Sequence, residues 1–192
     1  MIDQPTETDE AIAIRVQKGD IDAFGILIAR YEQKMNRYAK RFLFDSEESK
    51  DLIQDLFIKA YVNIQSFDAE RRFSPWIYRI AHNVLINAGK KKSRSLLSSF
   101  DPDLLLPMHA EAETPETEAV KKEVRAMLDK GLAKISPKYR EPLVLHYFEE
   151  LGYQEIADVL QIPISTVGVR LKRGREALKK EVGTKKSIHG TE

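Results

Sequence analysis

The stretch Tyr153–Lys180, YQEIADVLQIPISTVGVRLKRGREALKK, decides the fold. Two short helical patterns flank a tight turn at Gln161-Ile162-Pro163-Ile164. A small residue, Ala157, stands where the two helices would cross, which is helix-turn-helix geometry. In the last helix, read as Ser165–Glu181, Val167, Leu171, Gly174 and Leu178 share the inward face. Ser165, Gly168, Val169, Lys172, Arg173 and Glu176 face outward, with Arg170 and Arg175 at the edges. Ser165–Lys186 holds eight basic residues against Glu176 and Glu181, a local charge of +6. A basic helix with an exposed N-terminus suits a DNA major groove: its first turns reach base edges and its later cations hold phosphates. A bundle with a solvated basic end would explain the charge, but not the residue sizes at the turn and crossing.

Upstream, Ser136-Pro137 predicts a cap and first turn for a helix through Phe148, with Tyr139, Leu143, Val144 and Tyr147 in phase. Pro142 fits that helix only if the carbonyl of Lys138 lies outside it. Pro115–Lys134 predicts another helix, with Val120, Val124, Met127, Leu128 and Leu132 in phase, and Gly152–Leu160 a short one.

Before this set the composition changes. Ser95–Val120 carries Asp101, Asp103, Glu111, Glu113, Glu116 and Glu118, no Lys or Arg, and three prolines, hence −6 without a helical period. It reads as a linker. Its Leu96, Leu97, Phe100, Leu104, Leu105 and Leu106 suggest that it docks on something.

The N-terminal half predicts helices over Ala11–Lys18 (closed by Gly19-Asp20), Ile21–Phe44 and Ser46–Ile64. In the second, Phe24, Leu27, Ile28, Tyr31, Met35, Tyr38, Ala39 and Phe42 make an apolar stripe. Asp45 reads as N-cap of the third, whose apolar face is Leu52, Ile53, Leu56, Phe57, Ala60 and Tyr61. Ser74-Pro75 then starts a helix to about Lys90. Phe67–Arg94 joins aromatic residues (Phe67, Phe73, Trp76, Tyr78) to seven basic ones (Arg71, Arg72, Arg79, Lys90, Lys91, Lys92, Arg94), with no acid between Arg71 and Arg94. Cations track phosphates and rings stack on unpaired bases, so this stretch suits single-stranded nucleic acid. The same residues also fit an amphipathic helix with its rings in the core. No strand pattern or internal repeat is seen.

The fold class is therefore all-α: two small helical domains joined by an acidic linker, the C-terminal one a helix-turn-helix. The boundaries are 10–94, 95–114 and 115–182, with a tail at 183–192 expected to be disordered. The net charge of +1 hides the segregation and says little about partners. Cysteine is absent, which removes disulfides and thiolate metal sites. The N-terminus, MIDQPTETDEAIAI, lacks a signal-peptide core, and no apolar run is as long as a membrane span, so a cytoplasmic protein without membrane insertion is expected. His82, His109, His146 and His189 are scattered, and there is no phosphate loop or nucleophile motif. No enzyme activity, metal or cofactor is expected.

Three stretches together resemble one family: DLIQDLFIKAY at Asp51–Tyr61, FSPWIYRIAHN at Phe73–Asn83, and SPKYREPLVLHYFEELGYQEIADVLQIPISTVGVRLKRGREAL at Ser136–Leu178. In this order, around an acidic linker, the chain resembles bacterial RNA polymerase sigma factors of the extracytoplasmic function (ECF) group over about residues 10–182. The resemblance implies that the first helix docks on a coiled coil of the largest core RNA polymerase subunit through Asp51, Gln54 and Asp55, with Phe57 and Ile58 adjacent. It implies that the loop Phe67, Asp68, Ala69, Glu70, Arg71, Arg72 captures a flipped base of the −10 promoter element, and that Trp76, Tyr78, Arg79 and Asn83 lie on the melting helix, with Lys90 and Lys91 on backbone phosphates. Extruding a base costs stacking energy, so a pocket with phosphate clamps can bias melting. Among these, Trp76 is the residue expected to be core instead, and Ile77, Ile80 and Ala81 are expected to be internal.

The resemblance further implies that Tyr153, Ser165, Thr166, Gly168, Val169, Arg170, Lys172, Arg173 and Arg175 read the −35 element. Two departures stand out. The family often has a basic residue and a serine at Gly168 and Val169, and a glycine at Gln161. Fewer donors at the groove-facing turn shift readout toward apolar contacts, phosphates and DNA shape. The acidic linker would thread the polymerase's active-site cleft and RNA exit path, and an anti-sigma factor is a possible partner. Two other readings are a stand-alone helix-turn-helix regulator, which leaves the first 90 residues unexplained, and a single-strand-binding chaperone built on Phe67–Arg94.

Overall fold

A computed structural model describes residues 7–43, 47–96 and 117–183. Eight α-helices form among the described residues: α1 (Asp9–Gln17), α2 (Ile21–Leu43), α3 (Glu47–Asn63), α4 (Phe73–Leu96), α5 (Thr117–Ala133), α6 (Pro137–Tyr147), α7 (Tyr153–Leu160) and α8 (Ile164–Gly183). A 3₁₀ turn, Ile64–Ser66, follows α3. No strand occurs among the described residues, so the all-α class holds. The chain divides into two compact units between Ser95 and Leu96, with Asp158–Gln161 grouped with the first.

In the first unit, α1 is capped by the Thr8 hydroxyl, which accepts from the Ala11 amide at 3.2 Å. It ends in a Schellman motif: Gly19 has φ +98°, Asp20 N–H reaches the Arg15 carbonyl at 3.1 Å, and Gly19 N–H reaches the Val16 carbonyl at 3.0 Å. Asp20 then caps α2, accepting from the Ala23 amide at 3.2 Å, and pairs with Arg15 at 2.7 Å. Arg15 and the cap together hold the Asp20 carboxyl below the ordinary aspartate range.

The stripe of α2 is internal as expected: Phe24, Leu27, Tyr31, Met35, Tyr38 and Ala39 are buried and Ile28 is half-buried. They meet Ile53, Leu56, Phe57 and Ala60 of α3 and Phe73, Ile77, Tyr78, Ala81, Val84 and Leu85 of α4 in the core. Tyr38 packs edge-on to Tyr78 and Tyr31 to Phe73, at centroid distances of 5.3 and 5.4 Å. Tyr61, expected in this core, is exposed, though its ring still meets Phe24 edge-on.

Two element boundaries differ from expectation. Helix α4 begins at Phe73, not after Ser74, because its first amide is capped from α1: Phe73 N–H donates to Glu10 Oε1 at 2.9 Å. It also continues to Leu96, so the basic segment beyond Lys90 is helical. The predicted Asp45 cap and most of the acidic linker lie outside the described residues.

In the second unit, Leu132, Ile135, Leu143, Val144, Leu145, Leu151, Ile156, Val167 and Leu171 make the core. Ala157 is buried as its size suggested. Val124, expected on the apolar side of α5, is exposed. Ser136 caps α6 through its backbone only; its carbonyl accepts from Tyr139 and Arg140 at 2.9 and 3.0 Å, and its side chain makes no cap bond. Pro142 is buried inside α6, so Lys138 lies within the helix, contrary to the condition placed on it. Arg140 is buried, and desolvation lowers its pKa to about 10, opposed by the charge of Glu141. Helix α7 starts on a half capping box, Gly152 N–H donating to Glu155 Oε2 at 2.7 Å. It ends on Gln161 at φ +55°, with Ile162 N–H on the Ala157 carbonyl at 3.1 Å, another Schellman closure.

Candidate protein and nucleic-acid interfaces

Three surfaces carry the predicted residues. On α3, Asp51, Gln54 and Ile58 are exposed and Asp55 is half-buried. Their spacing puts them in one row, which Val62 extends. Ile58 is 62% and Val62 71% exposed, an apolar end to an acidic-amide row. Lys59 pairs with Asp55 at 2.6 Å. Phe57 points the other way and is buried in the core, so it offers no docking surface. Val62 was missed because it reads as one more apolar residue of an amphipathic helix.

The loop after the 3₁₀ turn is folded by Asp68. Its side chain accepts from the Glu70 amide and its carbonyl from the Arg71 amide, both at 3.0 Å. Asp68, Glu70, Arg71 and Arg72 are exposed and Ala69 half-buried; Arg71 lies 3.8 Å from Asp68. Phe67 is only 4% exposed. Its ring packs on Phe73 and Trp76 at 5.3 and 5.4 Å. On α4, Trp76 is half-buried, whereas Tyr78 is 1% exposed. The expectation is thus reversed: Phe67 and Tyr78 belong to the core and Trp76 keeps an open edge. Period decides it, since Tyr78 falls in step with Ile77, Ala81 and Leu85, and Trp76 on the flank. Ile80, expected inside, is half-buried.

Arg79, Asn83 and Lys90 are exposed and share a face of α4 with Trp76, so a ring, an amide and two cations line up along the helix. Asn87 is exposed in the same row. It sits in the otherwise apolar run VLINAG, which hid it. The side chain of Lys91 lies outside the described residues.

On α8, Ser165, Val169, Lys172, Arg173 and Arg175 are exposed, and Thr166, Gly168 and Arg170 are half-buried, opposite Val167, Leu171 and Gly174. Tyr153 is exposed beside Gly168, where an added Cβ would meet its ring at 3.9 Å. Two cations are held from α6: Arg175 donates to the Tyr147 hydroxyl at 3.1 Å and Arg173 to the Tyr139 hydroxyl at 3.4 Å. The first bond raises the Arg175 pKa; the second lowers that of Tyr139. Tyr147, assigned to the apolar face by its phase, is exposed instead. These pairings join residues 28 and 34 positions apart, so no local pattern announces them. No cluster of three or more metal-ligating side chains occurs among the described residues. None of their helices is long and apolar enough to cross a membrane.

A chain that joins a basic helix-turn-helix unit to a helical unit with an acidic-apolar row and a basic-aromatic helix has the make-up of a two-part transcription factor. The Sigma-70 region 2 family matches residues 27–95 and Sigma-70 region 4 matches residues 125–178. The chain is 37% identical to the ECF RNA polymerase sigma factor SigW of Bacillus subtilis (strain 168), over 88% of this chain and 93% of that one. It is 32% identical to the ECF RNA polymerase sigma-E factor of Escherichia coli (strain K12), over 91% and 94%. Its fold is similar to that of the sigma factor RpoE from Bartonella quintana, solved with the anti-sigma factor NepR (TM-score 0.69, 19% identity, 83% and 96% covered). The chain belongs to the ECF family of RNA polymerase sigma factors.

Proposed function

We propose that this sigma factor binds core RNA polymerase through the α3 row Asp51, Gln54, Asp55, Ile58 and Val62. It then directs the enzyme to promoters, α8 reading duplex −35 DNA and the Asp68–Arg72 loop with the Trp76, Arg79, Asn83, Asn87 and Lys90 row holding single-stranded −10 DNA. The observation that carries this is the division of labour on the surface. The acidic-apolar row on α3 suits a protein partner, and the cationic faces of α4 and α8 suit phosphates. Melting needs no covalent step, so we assign no catalysis to the chain; binding energy on the open strand supplies the bias. The protein works in the cytoplasm, where its polymerase is. An anti-sigma factor that covered Ile58 and Val62 would compete with polymerase directly.

The test is gel filtration with bacterial core polymerase, beside an Asp51→Ala, Gln54→Ala variant. Wild type should co-elute and the variant should not. If neither co-elutes while the chain alone holds duplex DNA tightly, the polymerase role is wrong and a stand-alone regulator replaces it.

A further inference from the structure

The loop Phe67–Arg72 does not fix its own ends; α1 does. At one end the Gln17 side-chain amide donates to the carbonyls of Ile64 and Phe67, both at 2.8 Å, and Gln65 returns a bond to the Gln17 carbonyl at 2.9 Å. At the other end Glu10 Oε1 accepts the Phe73 N–H at 2.9 Å. Glu10 and Gln17 stand two helical turns apart, on one side of α1. Both are half-buried. The Sigma-70 region 2 match begins only at residue 27, so Glu10 and Gln17 lie outside it while the loop ends they hold lie within it.

We propose that Gln17 and Glu10 are positioning residues for −10 recognition, setting the span of the loop before DNA arrives. The inference rests on the role given to the loop above. A surface loop free at both ends loses backbone entropy when it closes on a base, whereas one pinned at both ends has lost it on folding. The chemistry at each end is specific. Both N–H bonds of the Gln17 amide are used, and a carboxylate there would face two carbonyl oxygens with no donor. At Glu10 only an acceptor is required, so an amide oxygen would serve.

The test uses holoenzyme assembled with core polymerase from wild type, Gln17→Glu, Glu10→Ala and Glu10→Gln. The probe is a single-stranded DNA oligonucleotide selected from a randomised pool by wild-type holoenzyme, beside its shuffled version. Gln17→Glu and Glu10→Ala should bind the selected strand about fivefold weaker or worse, with shuffled-strand and core-polymerase affinities within about twofold of wild type. Glu10→Gln should match wild type. Unchanged affinity for the selected strand in all variants overturns the proposal. So does a loss shared equally by the shuffled strand and by core polymerase, which marks damage to the fold. A wild type that holds selected and shuffled strands equally overturns the role of the loop itself, a separate failure.

Discussion

Gly174 of α8 lies so close to Tyr139 of α6 that a Cβ at Gly174 would stand 2.8 Å from the Tyr139 carbonyl oxygen and 3.0 Å from Leu143. The obstacle is partly backbone and cannot swing aside. Gly174→Ala should therefore push α6 and α8 apart and cost about 1–3 kcal/mol. Thermal unfolding followed by circular dichroism checks this. An unchanged melting temperature would mean that the helices pack less tightly than the structure has them.

The α3 row separates docking from folding. Ile58→Glu and Val62→Glu change exposed side chains, so stability should move by no more than about 0.5 kcal/mol. Core-polymerase affinity should fall by about tenfold or more, because a buried apolar contact becomes a buried charge. Phe57→Ala, the residue next to Ile58 but inside the core, should instead cost about 3–5 kcal/mol. Titration of labelled protein with core polymerase, beside urea unfolding, distinguishes the two classes.

The cations of α8 are expected to act through phosphates. Lys172→Ala should weaken duplex binding by holoenzyme similarly on all sequences. It should also reduce the slope of log affinity against log salt by about 0.9, one counterion's worth. A variant that alters sequence preference with an unchanged salt slope would place Lys172 on a base edge.

Tyr31 is buried with its hydroxyl donating to Asp9 at 2.7 Å, and burial followed by that bond pushes its pKa well above the ordinary tyrosine value. Its pKa is raised on folding, so its contribution is full below the unfolded value of about 10 and is lost as pH rises beyond it. Stability measured between about pH 9 and 11.5 should fall more steeply for wild type than for Tyr31→Phe. Parallel curves would remove Tyr31 as the alkaline-sensitive group.

Much of this architecture is legible in local pattern. Period placed Tyr31, Met35 and Tyr38 inside α2 and Val167 and Leu171 inside α8, and Gly19-Asp20 announced the end of α1. Gln161 stood out as an unusual turn residue, and its φ of +55° is the reason glycine suits that position. What escaped depends on distant partners. Nothing near Phe73 signals that its cap is Glu10, 63 residues earlier. Four rings in twelve positions gave no ranking of depth until Tyr31 and Tyr38 supplied the other wall. Tyr139 and Tyr147 read as core because their phase is apolar, and their hydroxyls found arginines on α8.

Helix α8 finally shows an uneven freedom to change. Its inner side is locked by Gly174, Val167 and Leu171, whereas Gly168 has only the Tyr153 ring within reach of a Cβ and Val169 is 49% exposed. Alanine at Gly168 would even favour the helix by about 1 kcal/mol. Mutations at these two positions should therefore be nearly invisible to folding, while lying on the face proposed above to read DNA. On that reading, promoter preference is free to drift through two codons while the fold of the domain stays intact.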